Sequence, residues 1–378
     1  MRRLAFLSLL ALLPTSAALA DGCPPTTCGS TSVVQPGSRV LVLRPRGQSG
    51  PALGYDLVAR RWRFSLPSGM LSADGTTFVS ARSRKGRAFT EVLRYDARTG
   101  RVRSRWPVGG RRMGVVAVSA DGRSVGLVET RRDSVVIAVA GRRGRSMISL
   151  RGNYQVEALS PDARRVYLVH RSRTGYALEN VDLATRRLQP TKLAEPGERM
   201  EGFALAAVGT RDGRWLHTLY VKSDGESFVH ALDLIAGVGH CIDLPLRGDL
   251  LTLGATALTL SPDERRLYLA SPLLGRVATV DLERLRVARV ARFRPVPLAR
   301  FTPNTPLTAA ASANGRMVAF TLGPRLWLYD AAYGKVRRPV WSPHSIAGVG
   351  FRPDGRQLVA VGGSGAATFD AATGKRIR

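Results

Sequence analysis

Apolar residues in this chain come in short runs of strand length, punctuated by a recurring polar phrase. Val166-Tyr167-Leu168-Val169, Leu267-Tyr268-Leu269 and Leu358-Val359-Ala360-Val361 are β-branched, aromatic or leucine runs bounded by turn residues, the pattern of core strands. The phrase ahead of such runs appears as Ser72-Ala73-Asp74-Gly75, Ser119-Ala120-Asp121-Gly122, Ser160-Pro161-Asp162-Ala163 and Thr210-Arg211-Asp212-Gly213. It returns as Ser261-Pro262-Asp263-Glu264, Ser312-Ala313-Asn314-Gly315 and Arg352-Pro353-Asp354-Gly355. Asp or Asn bonds the backbone two residues on, Pro sets φ near −65°, and Gly accepts positive φ, so the phrase predicts a tight reversal between two strands. A second marker follows 16 to 22 residues later, as in Tyr95-Asp96-Ala97-Arg98-Thr99-Gly100, Val181-Asp182-Leu183, Leu232-Asp233-Leu234, Val280-Asp281-Leu282, Tyr329-Asp330-Ala331 and Phe369-Asp370-Ala371. There the third strand of each unit turns into a fourth.

Successive first turns lie 40 to 51 residues apart, the length of a four-stranded blade and too long for leucine-rich or ankyrin units. Tyr55-Asp56-Leu57 carries the second marker, and Pro36-Gly37-Ser38 before Val40-Leu41-Val42 is a worn first turn, which brings the count to eight units. Only the unit after Asp121 lacks the second marker; there Val135 to Ala140 runs directly into Gly141-Arg142-Arg143-Gly144. The expected fold is all-β: one β-propeller of four-stranded antiparallel blades over 33–378, eight blades by unit count, or seven if the worn first unit only supplies closing strands. Ser261-Pro262-Asp263 with Leu267-Tyr268-Leu269 and Val277-Ala278-Thr279-Val280-Asp281-Leu282 resembles a unit of the YVTN family of β-propellers and their WD-repeat-like relatives. The resemblance covers nearly all of the chain after its leader and implies a fold. It implies no catalytic residue; the Trp-Asp dipeptide of true WD repeats is missing, and no Gly-His opener recurs from unit to unit.

The first residues follow a different pattern. Arg2 and Arg3, the apolar run Leu4 to Leu13 and the Ala18-Leu19-Ala20 cleavage site read as a secretory signal over 1–20, with the mature protein starting near Asp21 outside the cytoplasm. Later in the chain no apolar stretch approaches the ~20 residues of a membrane span. In an oxidising compartment Cys23 and Cys28 are expected to close a small disulfide loop in the 21–32 segment, with lipid anchoring at Cys23 as the rival reading. Cys241 is then the odd cysteine, expected in a strand.

Charge narrows the choice of partners. Lys+Arg 57 against Asp+Glu 28 gives a net +29, while 44% hydrophobic residues keep the chain in the globular class. On the face carrying both sets of turns, arginines have aspartates beside them. The opposite, loop face of units two to four carries Arg82, Arg84, Lys85, Arg87, Arg111, Arg112, Arg131, Arg132, Arg171 and Arg173 against Glu129 and Asp133. Such a sector would attract an anionic polymer, an anionic cell-surface component such as a wall polymer or lipid headgroup, or another protein, with nucleic acid as the less favoured polyanion. The plainer reading is arginine bias, since only five of the 57 basic residues are lysines. Trp106, Tyr154 and Trp341 fall near blade-to-blade loops, as stacking platforms or as packing residues.

For an enzyme the motifs are wanting. Gly362-Gly363-Ser364-Gly365-Ala366 breaks G-x-S-x-G, and neither a phosphate loop nor C-x-x-C-H occurs. The five histidines show no metal-ligand spacing, so no cofactor and no metal are expected. The expected function is a non-catalytic binding module. The alternative is a propeller enzyme of lactonase or lyase type, with Glu157, Glu201 and Asp249 meeting at the channel mouth and His344 nearby.

Overall fold

In the computed structural model the described residues are 32–33, 38–43, 51–83, 88–110, 112–141, 144–171, 176–194, 200–302, 305–342, 344–363 and 365–377. The expected signal segment 1–20, Cys23 and Cys28 lie outside them.

The chain forms eight antiparallel sheets in chain order, each from a contiguous stretch, arranged as the blades of a propeller. Blade 1 comprises Ser32–Val33, Val40–Leu43, Ala52–Asp56 and Arg61–Leu66, and blade 2 comprises Gly69–Leu71, Thr77–Ser83, Phe89–Asp96 and Val102–Gly109. Blade 3 comprises Gly114–Val118, Val125–Thr130, Ser134–Gly141 and Gly144–Arg151. In blade 4 the strands are Tyr154–Leu159, Arg165–Arg171, Tyr176–Asp182 and Leu188–Pro190; in blade 5 they are Phe203–Gly209, Trp215–Val221, Glu226–Asp233 and Val238–Arg247. Lys192–Leu193, from the connection between them, adds in parallel to the outer strand of blade 5. Blade 6 opens with Ala257–Leu260 and blade 7 with Leu307–Ala311. Blade 8 comprises Gly348–Phe351, Gln357–Gly362 and Gly365–Asp370, its fourth strand reduced to a bridge between Phe369 and Arg376. The eight-unit count therefore holds, with the worn first unit a full blade. Helix among the described residues amounts to Leu250–Gly254, capped by Asp249, and a 3₁₀ turn at Leu298–Arg300.

The first-turn phrase repeats because its side chains close the turn. Ser261 donates its hydroxyl to Asp263 Oδ1 at 2.5 Å and accepts the N–H of Arg266 at 3.0 Å. The same pair of bonds recurs at Ser72, Ser119, Ser160, Thr210 and Ser312. Only a short hydroxyl can do both, and an unpaired buried N–H would be costly. The second marker works similarly: Asp96 Oδ1 accepts the N–H of Arg98 and of Thr99, each at 2.9 Å.

Alternate strand residues point to the two neighbouring blades, so the core is a series of interblade layers. Val125, Leu127, Val136 and Ala138 of blade 3 pack with Met70, Val79 and Val92 of blade 2. The ring closes the same way, with Leu41, Leu43, Tyr55 and Leu57 of blade 1 against Val359 and Val361 of blade 8. All of these are buried. Both turn types lie on one face, and the loops from second to third strands lie on the other.

Candidate functional site

Of the ten loop-face residues singled out in the sequence, Arg82, Arg112, Arg131, Arg132 and Arg171 are described; Arg84, Lys85, Arg87, Arg111 and Arg173 lie outside the described residues. Second strands start at the first turns and run to the loop face, so Arg82 and Arg171 end up there at strand ends, and Arg131 and Arg132 in the next turn. Their charges are less isolated than the sequence suggested. Arg82 donates to Glu91 Oε2 at 2.7 Å, its cross-strand partner in blade 2, and Arg131 to Glu129 Oε1 at 3.2 Å. Arg171 donates to Gln155 at 3.2 Å, and its guanidinium stands 5.9 Å over the Phe203 ring, tying blade 4 to blade 5. Arg112 and Arg132 are exposed and make no ion pair among the described residues. Glu91 was missed because its approach to Arg82 depends on hairpin register.

The aromatics take mixed roles. Tyr154 is buried and stacks on His170, ring centroids 4.3 Å apart, as a packing residue. Trp341 is exposed, with the Arg325 guanidinium 4.7 Å from its ring. Trp106 is half-buried on the outer strand of blade 2.

The proposed channel-mouth quartet does not assemble. Glu201 and His344 are exposed on separate connections, Asp249 is occupied capping the helix through the Thr252 N–H at 2.7 Å, and no hydrogen bond or ion pair links any two of the four. Glu157 instead sits on the first strand of blade 4. It stands three residues before the turn serine, where the other complete turns are preceded by Gly69, Val116, Ala207, Leu258, Ala309 and Val349. A bulge between Val156 and Ala158 turns it out of the ladder and into the seam with blade 5. There it is fully buried, with Oε1 accepting from Thr218 at 3.2 Å and Tyr220 at 3.3 Å while Oε2 has no partner.

Burial outweighs those two bonds and lifts the Glu157 carboxyl to about 7. Tyr176 and Tyr220 stack at 5.2 Å beside it, and burial pushes both phenols well above their ordinary value. Burial also holds His217 at about 4 and His230 at about 3, so both rings are neutral at physiological pH. Glu157 borders a cavity of ≈160 Å³ walled largely by innermost strands of blades 2 to 5, including Met70, Ala117 and Val208. Apart from Ser72 and Glu157 its lining is largely apolar. Cys241 is half-buried on the outer strand of blade 5, its thiol 3.6 Å from Met200 Sδ. Among the described residues no group of three His, Cys, Asp or Glu could hold a metal ion, and no helix is long and apolar enough to cross a membrane.

No family model and no curated protein matches the chain, so the YVTN resemblance gains no support at family level. Among solved structures the chain is similar to dihydro-heme d1 dehydrogenase NirN in complex with DHE, 16% identical over 92% of this chain and 74% of that one, with a TM-score of 0.53. Kuenenia stuttgartiensis hydrazine synthase is 14% identical over 80% and 94% of the two chains, with a TM-score of 0.43. The β-propeller domain of Myceliophteria thermophila Cps50 (Swd1) is 15% identical over 78% and 92%, with a TM-score of 0.44. At such identities the likeness is one of fold alone, and the fold is an eight-bladed β-propeller.

Proposed function

We propose that the protein is an extracytoplasmic, non-catalytic binding propeller whose loop face on blades 2 to 4 holds an anionic partner. The observation that carries this reading is the contrast within the sector. Arg82 and Arg131 are neutralised by Glu91 and Glu129, while Arg112 and Arg132 stand exposed with no ion-paired carboxylate among the described residues, on a chain of net charge +29. Exposed, unpaired guanidinium groups can exchange counter-ions for a partner's anionic groups at little desolvation cost. The favoured partner is an acidic polymer or an anionic surface component.

Duplex DNA, used as a polyanion of known charge spacing, tests the sector. Each arginine that meets a phosphate contributes about 0.9 to the slope of log affinity against log salt, so Arg112→Ser with Arg132→Ser should flatten that slope by about 1.8. Replacing the exposed turn-face residues Arg316 and Arg356 by Ser should change it far less. Equal effects from the two pairs would reduce the attraction to net charge and remove the site.

A further inference from the structure

Seven of the eight blades carry the second marker, and where hydrogen bonds cross the seams beside them, that turn supplies backbone carbonyls to the preceding blade. Leu234 O accepts from the Tyr167 hydroxyl at 3.0 Å and Ile235 O from Arg165 at 3.4 Å; Ala332 O accepts from Arg289 at 3.2 Å, and Ala372 O from Arg337. Between blades 1 and 2 the turn lies so close that a Cβ on Gly100 would fall 2.5 Å from Phe64 Cβ. At the seams before blades 5, 7 and 8, polar groups of one blade are thus capped by the marker turn of the next.

Blade 3 is the exception. Its third and fourth strands pair through to Gly141 and Gly144, with no aspartate turn to extend over blade 2. The outer strands of blade 2 show the consequence. Arg94 and Ser104 are cross-strand partners and Trp106 follows on the same face as Ser104. Arg94 Nε, Ser104 Oγ and Trp106 Nε1 are all buried without a hydrogen-bond partner among the described residues. These three residues wall a groove of ≈590 Å³ together with Arg123, Gly141, Gly144 and Arg145. Among the described residues lining it there is no carboxylate. Asp121, the nearby acid acting on Arg94, is already engaged by the Ser119 hydroxyl at 2.8 Å, the Arg123 N–H at 2.9 Å and the Arg123 side chain at 3.5 Å. Three unsatisfied buried donors at one place in a positively charged groove are what an anion with several acceptor oxygens would satisfy.

We propose that this groove on the turn-face side of the rim, between blades 2 and 3, binds a ligand through an oxyanion group, phosphate, sulfate or carboxylate. The oxyanion takes the place of the carbonyls that marker turns provide at other seams. Arg94 supplies charge and a donor, Ser104 and Trp106 supply neutral donors, and the size of the groove suits a small organic molecule bearing that group. The site is separate from the loop-face arginines and stands or falls without them.

Titration of the ¹⁵N-labelled protein with inorganic phosphate, sulfate and acetate, followed at the tryptophan indole resonances, reads the site directly. Trp106→Phe assigns the relevant signal among the five tryptophans. Saturable displacement of the Trp106 indole resonance by at least one anion is expected, and the anion with the lowest Kd identifies the group. Arg94→Gln should weaken that binding about tenfold or more, and Ser104→Ala severalfold, with the other indole signals unmoved. Arg289→Gln, whose counterpart donor is capped by Ala332, and the Arg112→Ser, Arg132→Ser pair should leave it intact. No saturable shift with any of the three anions, or a shift that Arg94→Gln and Ser104→Ala both leave unchanged, overturns the proposal.

Discussion

Replacing Glu157 by Gln should remove one cost that rising pH imposes on this fold. The native carboxyl titrates at about 7 and an unfolded one near 4.5, because folding buries it with bonds to one oxygen only. Between those values the native state holds a proton that the unfolded state has released, so raising the pH favours unfolding. The shift corresponds to roughly 3 kcal/mol lost between pH 4.5 and 7.5 and nothing further above. His217 and His230 oppose it. Their native values, about 4 and about 3, lie below that of an unfolded histidine, so they add stability as pH rises toward 6.5. Gln retains an acceptor for Thr218 and Tyr220 and cannot ionise, so subtracting the variant from the wild type cancels the histidines and isolates Glu157. With an unfolding entropy of about 2.1 cal/mol/K per residue over 378 residues, the difference in Tm should change by about 4 °C across that window. Scanning calorimetry of both proteins at half-unit pH intervals from 4 to 8.5 measures it. A difference in Tm that stays flat would refute the assignment of a buried, proton-holding carboxyl.

Ser119→Ala removes the hydroxyl that accepts the buried Ser124 N–H at 2.9 Å and donates to Asp121, and should cost about 1–2 kcal/mol in denaturant unfolding; an unchanged midpoint would deny the hydroxyl its role in the turn. Deleting 345–378 strips Val359 and Val361 from Leu41, Leu43, Tyr55 and Leu57, and should abolish the single cooperative thermal transition; a truncated chain as stable as the full one would mean the ring is not closed there.

Much of the ring is legible in the sequence because the chemistry that closes each blade is local. Ser261, Asp263 and Arg266 settle their hydrogen bonds within six residues, so the phrase recurs wherever that turn is needed. The site chemistry depends on partners across a seam. Glu157 is an inner-strand glutamate in the sequence, and only the approach of Thr218 and Tyr220 from blade 5 turns it from a channel-mouth acid into a sealed one. Arg82 looks unpaired until hairpin register brings Glu91 beside it. The missing marker after Val135 is visible in the sequence, but its effect falls on Arg94, Ser104 and Trp106 of the preceding blade.

Each sheet is drawn from one uninterrupted stretch, and among the described residues blades 8 and 1 meet through side chains with no strand shared between them. The molecule is in that respect a split washer, whose cut ends are held by the same kind of apolar contact as every other pair of neighbours. A duplication or loss of one whole unit would leave the hydrogen-bond ladder of every remaining sheet intact and ask only for a small change in the angle between blades. Such a ring can change its circumference by recombination without rewiring any strand, and a unit added between blades 8 and 1 would ask Leu41 and Val359 only to repack against its faces.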